Sequence, residues 1–228
     1  MKKLILFDLD GTLLDTLEDL GAAVNHALAL RGLPPHSTGE YRSMVGHGVR
    51  NLVAQALEAS QMPGFDQASE ALIDAALADF KTYYSAHIDV HTRPYPGIPE
   101  LLARLHAHGV QLAVASNKFQ EGTEYLIQRF FAGIPFVAIL GNRPGWPLKP
   151  SPEIVQEVLR RSEVAPEDAL LVGDSTTDMH TAANGGIEAL AVTWGYRSRE
   201  ELAGNRLIGT VGELRQVLLG KFVHQDIQ

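Results

Sequence analysis

Cysteine is missing from this 228-residue chain, which excludes a disulfide framework, a thiol nucleophile and a thiolate metal site. Any metal ion bound here has to be held by oxygen or imidazole. Long apolar runs are missing too. The opening Met1-Lys2-Lys3-Leu4-Ile5-Leu6-Phe7 starts like a secretory leader but is cut short by Asp8, and no segment reaches the ~20 apolar residues of a membrane helix. A soluble, cytoplasmic protein with no membrane partner is the expectation. Basic residues are scarce, with 19 Lys plus Arg against 27 Asp plus Glu and a formal net charge of -8. No basic run offers a footprint for nucleic acid, so polyanion binding is not its work. Internal repeats and low-complexity segments are absent as well. What is present is 45% hydrophobic and only 20% charged residues, enough to bury a core in one large domain or a core plus a small one.

The hydrophobic pattern changes character twice. Leu4 to Phe7 is a short apolar run closed by Asp8-Leu9-Asp10-Gly11, the pattern of a buried parallel strand entering a loop. From Thr16 to about His91 the spacing turns helical, as in Leu17, Leu20, Val24, Ala27 and Leu28, and again in Val49, Leu52, Val53, Ala56 and Leu57. A third helix is predicted from Gln67 to about Ser85, with breaks near Leu33-Pro34-Pro35 and Met62-Pro63-Gly64. Beyond Arg93-Pro94-Tyr95-Pro96-Gly97 strands and helices alternate: helices over 98–107, 152–161 and 177–184, strands over 110–115, 136–140, 169–172 and 189–193. Five parallel strands with right-handed crossovers make an α/β, Rossmann-like, doubly wound sheet whose ligand site lies beyond the strands' carboxyl ends. The predicted division is a catalytic core of residues 1–15 and 93–228 and an inserted helical domain of residues 16–92, hung over that same edge.

The polar residues fall at those strand ends. The first strand delivers Asp8, Asp10 and Thr12, the second Ser116, Asn117 and Lys118, the fourth Gly173, Asp174, Ser175 and then Asp178, while Lys149 precedes a helix. One Asp after a strand is ordinarily a turn residue or helix cap. Four carboxylates on one rim are different, because they repel one another and call for a proton or a cation. A hard divalent cation resolves the conflict, and Mg2+ suits a few carboxylates, water and substrate phosphate. Up to four negative charges then face three positive ones, from the ion and Lys149, so a phosphate dianion is admitted only with metal present. A carboxylate attacks phosphorus at neutral pH without a base, giving an aspartyl phosphate, if a second carboxyl protonates the leaving alkoxide and then activates water. Asp8 and Asp10 fit those roles; Ser116, Thr12 and the Asp-Gly-Thr turn can donate to phosphoryl oxygens, with Lys149 neutralising their charge.

Phe7-Asp8-Leu9-Asp10-Gly11-Thr12-Leu13-Leu14-Asp15-Thr16, Ser116-Asn117-Lys118, Lys149-Pro150 and Gly173-Asp174-Ser175-Thr176-Thr177-Asp178 resemble, in order and spacing, the four motifs of the haloacid dehalogenase-like superfamily. The resemblance covers nearly the whole chain. It implies a Rossmann-like core with a helical cap, Asp8 as nucleophile and Asp10 as general acid/base. It implies also that Asp8, the backbone carbonyl of Asp10, and Asp174 coordinate Mg2+, with Asp178 supporting the ion or its waters. The true dehalogenases lack an acid at the position of Asp10, so its presence argues for phosphoryl chemistry. Within the superfamily the chain looks most like the phosphoglycolate phosphatases, on Asp-Gly-Thr-Leu-Leu-Asp-Thr and on Val45-Gly46-His47-Gly48-Val49-Arg50. Phosphosugar mutases of the beta-phosphoglucomutase type share all four motifs and are the alternative, as is a pyrophosphatase. A phosphate-sensing binding protein is the non-enzymatic one.

Substrate selection falls to the inserted segment. His47 and Arg50 are candidate substrate-binding residues there, an arginine being able to grip a carboxylate or second phosphate bidentately, and a solvated helix start is the competing reading. Asn117 is a further candidate. Gly46 and Gly48 complete no phosphate-cradling pattern. His87 and His91 have helical zinc spacing but no third ligand, which makes them ordinary surface histidines. The loop from Gly141 to Leu148 either shapes the leaving-group pocket, through Arg143 and Trp146, or merely positions Lys149. The expected partner is a small phosphorylated metabolite, and the chain a monomer or homodimer.

Overall fold

A computed structural model describes residues 2–60 and 68–220. In chain order its elements are β1 (Leu4–Phe7), β2 (Leu14–Asp15), α1 (Leu17–Ala29), α2 (Thr38–Met44), α3 (Val49–Ser60), α4 (Glu70–His87), β3 (Arg93–Pro94), α5 (Ile98–Ala107) and β4 (Gln111–Phe119). There follow α6 (Gln120–Phe131), β5 (Ala138–Asn142), α7 (Glu153–Ser162), β6 (Ala169–Gly173), α8 (Thr176–Asn184), β7 (Glu188–Val192), β8 (Leu207–Ile208) and α9 (Val211–Leu219). Among the described residues the main sheet has six strands in the order β5-β4-β1-β6-β7-β8, every pair parallel. The sequence pattern gives five; β8, two residues long, is too short to leave a period. The break near Met62 and the helix start at Gln67 lie outside the described residues.

Strand β1 is buried on both faces, and its side chains sort by parity. Ile5 and Phe7 enter one core with Leu112, Val114, Leu170 and Val172, while Leu4 and Leu6 enter the other with Ala113, Ala115, Ala169 and Leu171. An unbroken apolar run is what such a two-sided strand requires. Chain order then places β1 at the centre: the path leaves it for β4 and β5 on one side and returns to β6 and β7 on the other. The crevice at such a reversal opens at the carboxyl ends, where Asp8 follows Phe7.

Between β2 and β3 lie, among the described residues, the helices α1 to α4, and the two crossings pair as an antiparallel ribbon, Leu14 opposite Pro94 and Asp15 opposite Arg93. The apolar side chains of this helical segment, Leu20, Val53 and Phe80 among them, belong to the same contiguous core as the Ile5–Phe7 face of the sheet. Helix α2 is an element the period misses. Its signal is the capping box of Ser37 and Glu40, in which Ser37 accepts from the Glu40 N–H and Glu40 from the Ser37 N–H. Gly21 in α1 lets the Tyr41 ring close in, since a Cβ there would lie 2.7 Å from it.

The return crossing is fastened by a residue outside every motif. Asp19 in α1 is 2% exposed, and its carboxylate accepts from the His91 N–H at 3.0 Å, the Thr92 N–H at 2.8 Å and the Thr92 hydroxyl at 2.8 Å. Asp19→Ala leaves three donors without their acceptor and is expected to cost about 3 kcal/mol of stability, read from urea unfolding curves. A loss below about 1 kcal/mol would show that water replaces the carboxylate freely.

Candidate active site

Three strand ends and one loop build the site. Asp8 follows β1, Ser116, Asn117 and Lys118 close β4, Asp174 follows β6 with Asp178 in the first turn of α8, and Lys149 stands before α7. Asp8, Asp174 and Asp178 each present an oxygen within 4.8 Å of the others. Asp174 and Asp178 are buried, and the Asp8 side chain is 13% exposed. Asp174 fits only because glycines flank it, since a Cβ on Gly11 or on Gly195 would collide with its carboxylate. Gly11 has φ +82 and needs its freedom of backbone as well.

Lys149 joins the acids from beneath. Its ammonium lies 2.9 Å from Asp8 Oδ1, 2.7 Å from Asp178 Oδ1 and 2.8 Å from the Ala115 carbonyl, so all three N–H donors are used. Asp178 is held by this contact and by Ser175, whose N–H and hydroxyl donate to Oδ2 at 3.1 and 2.6 Å. Asp174 takes the Tyr196 N–H on Oδ2 at 2.7 Å and the Thr12 hydroxyl on Oδ1 at 3.3 Å. Thr12 is thus turned to Asp174 and is not among the residues lining the cleft. Asp10 stands apart from the three-carboxylate cluster. Its Oδ1 accepts from the Thr16 hydroxyl at 2.7 Å and from Lys118 Nζ at 3.1 Å, and Lys118 also donates to Tyr84 Oη at 2.7 Å.

Asn117 works as a bracket: its amide nitrogen donates to the Gly46 carbonyl at 3.0 Å and to the Lys149 carbonyl at 3.1 Å, and its oxygen accepts from the Lys149 N–H at 2.8 Å. The cleft above holds about 50 Å3. Asp8, Asp10, Ser116 and Lys118 form its floor, and Leu20, Val45, Leu52 and Phe80 of the helical segment its roof. His47 and Arg50 do not line it. His47 is exposed, and the Arg50 guanidinium is drawn off by Glu70 and Asp74 of α4, acids that its own helix periodicity gives no sign of. The basic residue that does line the roof is Arg197, which sequence reasoning misses; it donates to the carbonyls of Arg42, Ser43 and Val45 at the end of α2. Arg143 stacks 4.0 Å over the Trp146 ring, also away from the cleft. His87 bonds its own helix at the Tyr83 carbonyl, and His91 faces Glu18 at 3.3 Å.

The electrostatics favour a cation. Burial pushes the Asp8 carboxyl up to about 7, with Lys149 opposing and Asp178 reinforcing the rise. Burial, then the charges of Asp178 and Asp8, push Asp174 up to about 8. Burial alone would lower the Lys149 ammonium, but Asp178 and Asp8 outweigh it and hold it above the ordinary lysine range. Four carboxylates, Asp8, Asp10, Asp174 and Asp178, against two ammoniums, Lys118 and Lys149, leave two negative charges, the complement of one divalent ion. With only oxygen donors offered, the site fits a hard cation.

A model of haloacid dehalogenase-like hydrolases matches residues 5–192. A phosphoglycolate phosphatase of Mesorhizobium japonicum is 37% identical over 198 residues, 87% of this chain and 86% of that protein. Phosphoglycolate phosphatase 1 of Pseudomonas aeruginosa is 36% identical, over 96% of this chain and 79% of its own. A crystal structure from Lactobacillus delbrueckii subsp. bulgaricus superposes with a TM-score of 0.87 at 34% identity, covering 96% of this chain and all of that one.

The raised carboxyls predict a direction for stability. In the unfolded chain they lose their protons near pH ~4, in the folded metal-free protein near pH 7 and 8, so between those limits the folded state binds more protons and stability falls as pH rises. The melting midpoint of EDTA-treated protein should drop from pH 5 to pH 8.5, and the slope should shrink in Asp174→Asn. A midpoint that climbs across that window, or a slope unaltered in the variant, would refute the assignment.

Proposed function

The chain belongs to the haloacid dehalogenase-like hydrolases, and from that premise we propose that it is a Mg2+-dependent phosphatase for a small phosphomonoester, phosphoglycolate first, acting through an aspartyl phosphate on Asp8. The observation that carries this reading is the carboxylate cluster, with Lys149 locked into it, directly under a cleft of about 50 Å3. Two relatives that are phosphoglycolate phosphatases, alike over most of both chains, support the substrate.

Asp8, Asp174 and the backbone carbonyl of Asp10 would hold the ion, while Asp178, with Oδ1 on Lys149 and Oδ2 on Ser175, would act from behind them. When bound, the ion supplies Lewis-acid polarisation of a phosphoryl oxygen. Asp8 receives both Leu9 N–H, at 2.7 Å, and Lys149 on Oδ1, which leaves Oδ2 as the attacking oxygen. Its lone pair forms the new P–O bond as the ester P–O bond breaks, and Asp10 hands its proton to the departing alkoxide. Asp10, now a carboxylate, takes a proton from the water that attacks the same phosphorus. The Asp8–phosphorus bond breaks, returning the carboxylate and releasing inorganic phosphate. Ser116, whose oxygen accepts the Lys118 N–H at 3.2 Å, keeps its hydroxyl proton for the phosphoryl group. The helical segment 16–92 serves as the cap that keeps bulk water from the first transfer.

The geometry gives less support to a phosphosugar mutase. A bisphosphate needs a cation for its second phosphate, and Arg50 is spent on Glu70 and Asp74, while Arg197 is spent on three carbonyls. Lys118 lines the cleft, but its three N–H groups go to Asp10 Oδ1, Asp10 Oδ2 and Tyr84 Oη, so it too leaves no donor for a second phosphate.

The purified chain should release inorganic phosphate from phosphoglycolate with Mg2+ and lose that activity in EDTA. Hexose 1-phosphate should lose phosphate slowly or stay unchanged, with no isomer formed; isomerisation would establish the mutase instead. Asp8→Asn is expected to reduce turnover by on the order of 10^3-fold or more with the fold intact by circular dichroism. No turnover of any phosphomonoester with metal present would leave a binding protein.

A further inference from the structure

Tyr196 lies in the loop after β7, outside every motif, yet its polar contacts all lead to the catalytic carboxylates. Its N–H donates to Asp174 Oδ2 at 2.7 Å. Its phenol oxygen accepts the Thr16 N–H at 2.9 Å and stands 3.0 Å from Thr16 Oγ1, which is itself 2.7 Å from Asp10 Oδ1. Counting donors fixes the direction of this chain. Oδ1 of Asp10 accepts from both the Thr16 hydroxyl and Lys118, which places the acid's own proton, when present, on Oδ2; the single Thr16 proton therefore goes to Asp10, and Thr16 Oγ1 is left to accept from Tyr196. The phenol proton therefore points at Thr16, and the phenol lone pair takes the Thr16 N–H. Tyr196 is 5% exposed and Thr16 is fully buried, so no solvent water competes for these groups.

We propose that Tyr196 is a positioning residue for proton transfer: through Thr16 it ties back Oδ1 of Asp10 and presents Oδ2 to the leaving oxygen of the substrate. Asp10 and Tyr196 both line the cleft. Lys118 agrees with the assignment, lying 3.1 Å from Oδ1 and 3.4 Å from Oδ2, so the stronger donors gather on the same oxygen. Arg197, the next residue, holds the end of α2, which makes one loop responsible both for seating the helical segment and for setting Asp10. The inference rests on the reading of Asp10 as the acid.

Two substrates separate positioning from mere support. Phosphoglycolate expels an alkoxide that needs the proton, whereas p-nitrophenyl phosphate expels a phenolate that leaves without one. The ratio kcat/KM reports only the steps up to that departure, so the later hydrolysis of the aspartyl phosphate does not blur the comparison. Tyr196→Phe removes the hydroxyl and keeps the ring and the N–H to Asp174. It should lower kcat/KM on phosphoglycolate about tenfold or more, a part of what a general acid supplies, and on p-nitrophenyl phosphate by less than about threefold. Thr16→Val should reproduce the pattern, and the double variant should lose no more than the worse single one, because both break the same chain. Equal losses on the two substrates, or no loss on either, would overturn the proposal. Asp10→Asn is the control for the underlying reading. It should show the same selectivity more strongly; if it does and Tyr196→Phe does not, positioning alone fails, and if it does not, the acid role and this inference fall together.

Discussion

Mutual repulsion among buried carboxylates is the constraint around which this molecule is arranged. Asp8, Asp174 and Asp178 meet within 4.8 Å at the carboxyl edge of a parallel sheet, where burial makes each charge costly and each neighbour makes the next costlier. Their mutual repulsion alone would drive them apart. They stay because Lys149 spends all three of its donors beneath them, because Ser175 satisfies Asp178, and because Gly11 and Gly195 let Asp174 approach where any side chain would collide. A site held in this condition has a standing affinity for positive charge. With all four acids ionised, one divalent ion together with Lys118 and Lys149 makes the floor of the cleft neutral, and with Asp10 protonated, as the proposed first transfer requires, it carries one positive charge. The -1 left when Lys149 alone is counted disappears, and a phosphate dianion meets no net repulsion.

How far this could be read from the sequence depends on whether a residue's partner is near it in the chain or in a regular period. Strand β1 was legible because burial on both faces imposes an unbroken Leu-Ile-Leu-Phe run, and helix α5 falls on 98–107 as its spacing predicts. The acids were legible because loops at strand ends of a doubly wound sheet converge on one edge. Arg50 shows where such reasoning stops: its position in the segment is right for reaching the cleft, but its orientation is decided by Glu70 and Asp74, twenty and more residues away on another helix. Lys118 belongs to a motif, yet its bond to Tyr84 has no local signal, and Tyr196 has none at all. Thr12 follows β1 and Asn117 closes β4, as the spacing predicts, but their side chains serve other protein groups, Thr12 holding Asp174 and Asn117 bridging Gly46 and Lys149. Thr12 is claimed by the acid cluster and Asn117 by backbone groups on either side of it.

The contacts between the helical segment and the sheet are concentrated beside the chemistry. Asn117 reaches the Gly46 carbonyl, Lys118 reaches Tyr84, Arg197 reaches the end of α2, and Thr16 reaches Tyr196. Each residue on the sheet side lines the cleft. A buried polar contact contributes on the order of 1 kcal/mol when satisfied and costs more when one partner is withdrawn. Separating the two layers would therefore strand Lys118, Asn117 and Tyr196 at the same time as it opened the cleft to water. The arrangement of Asp10 is consequently a property of the assembled layers and not of the sheet alone, even though Asp10 itself is fixed in the chain only three residues after β1.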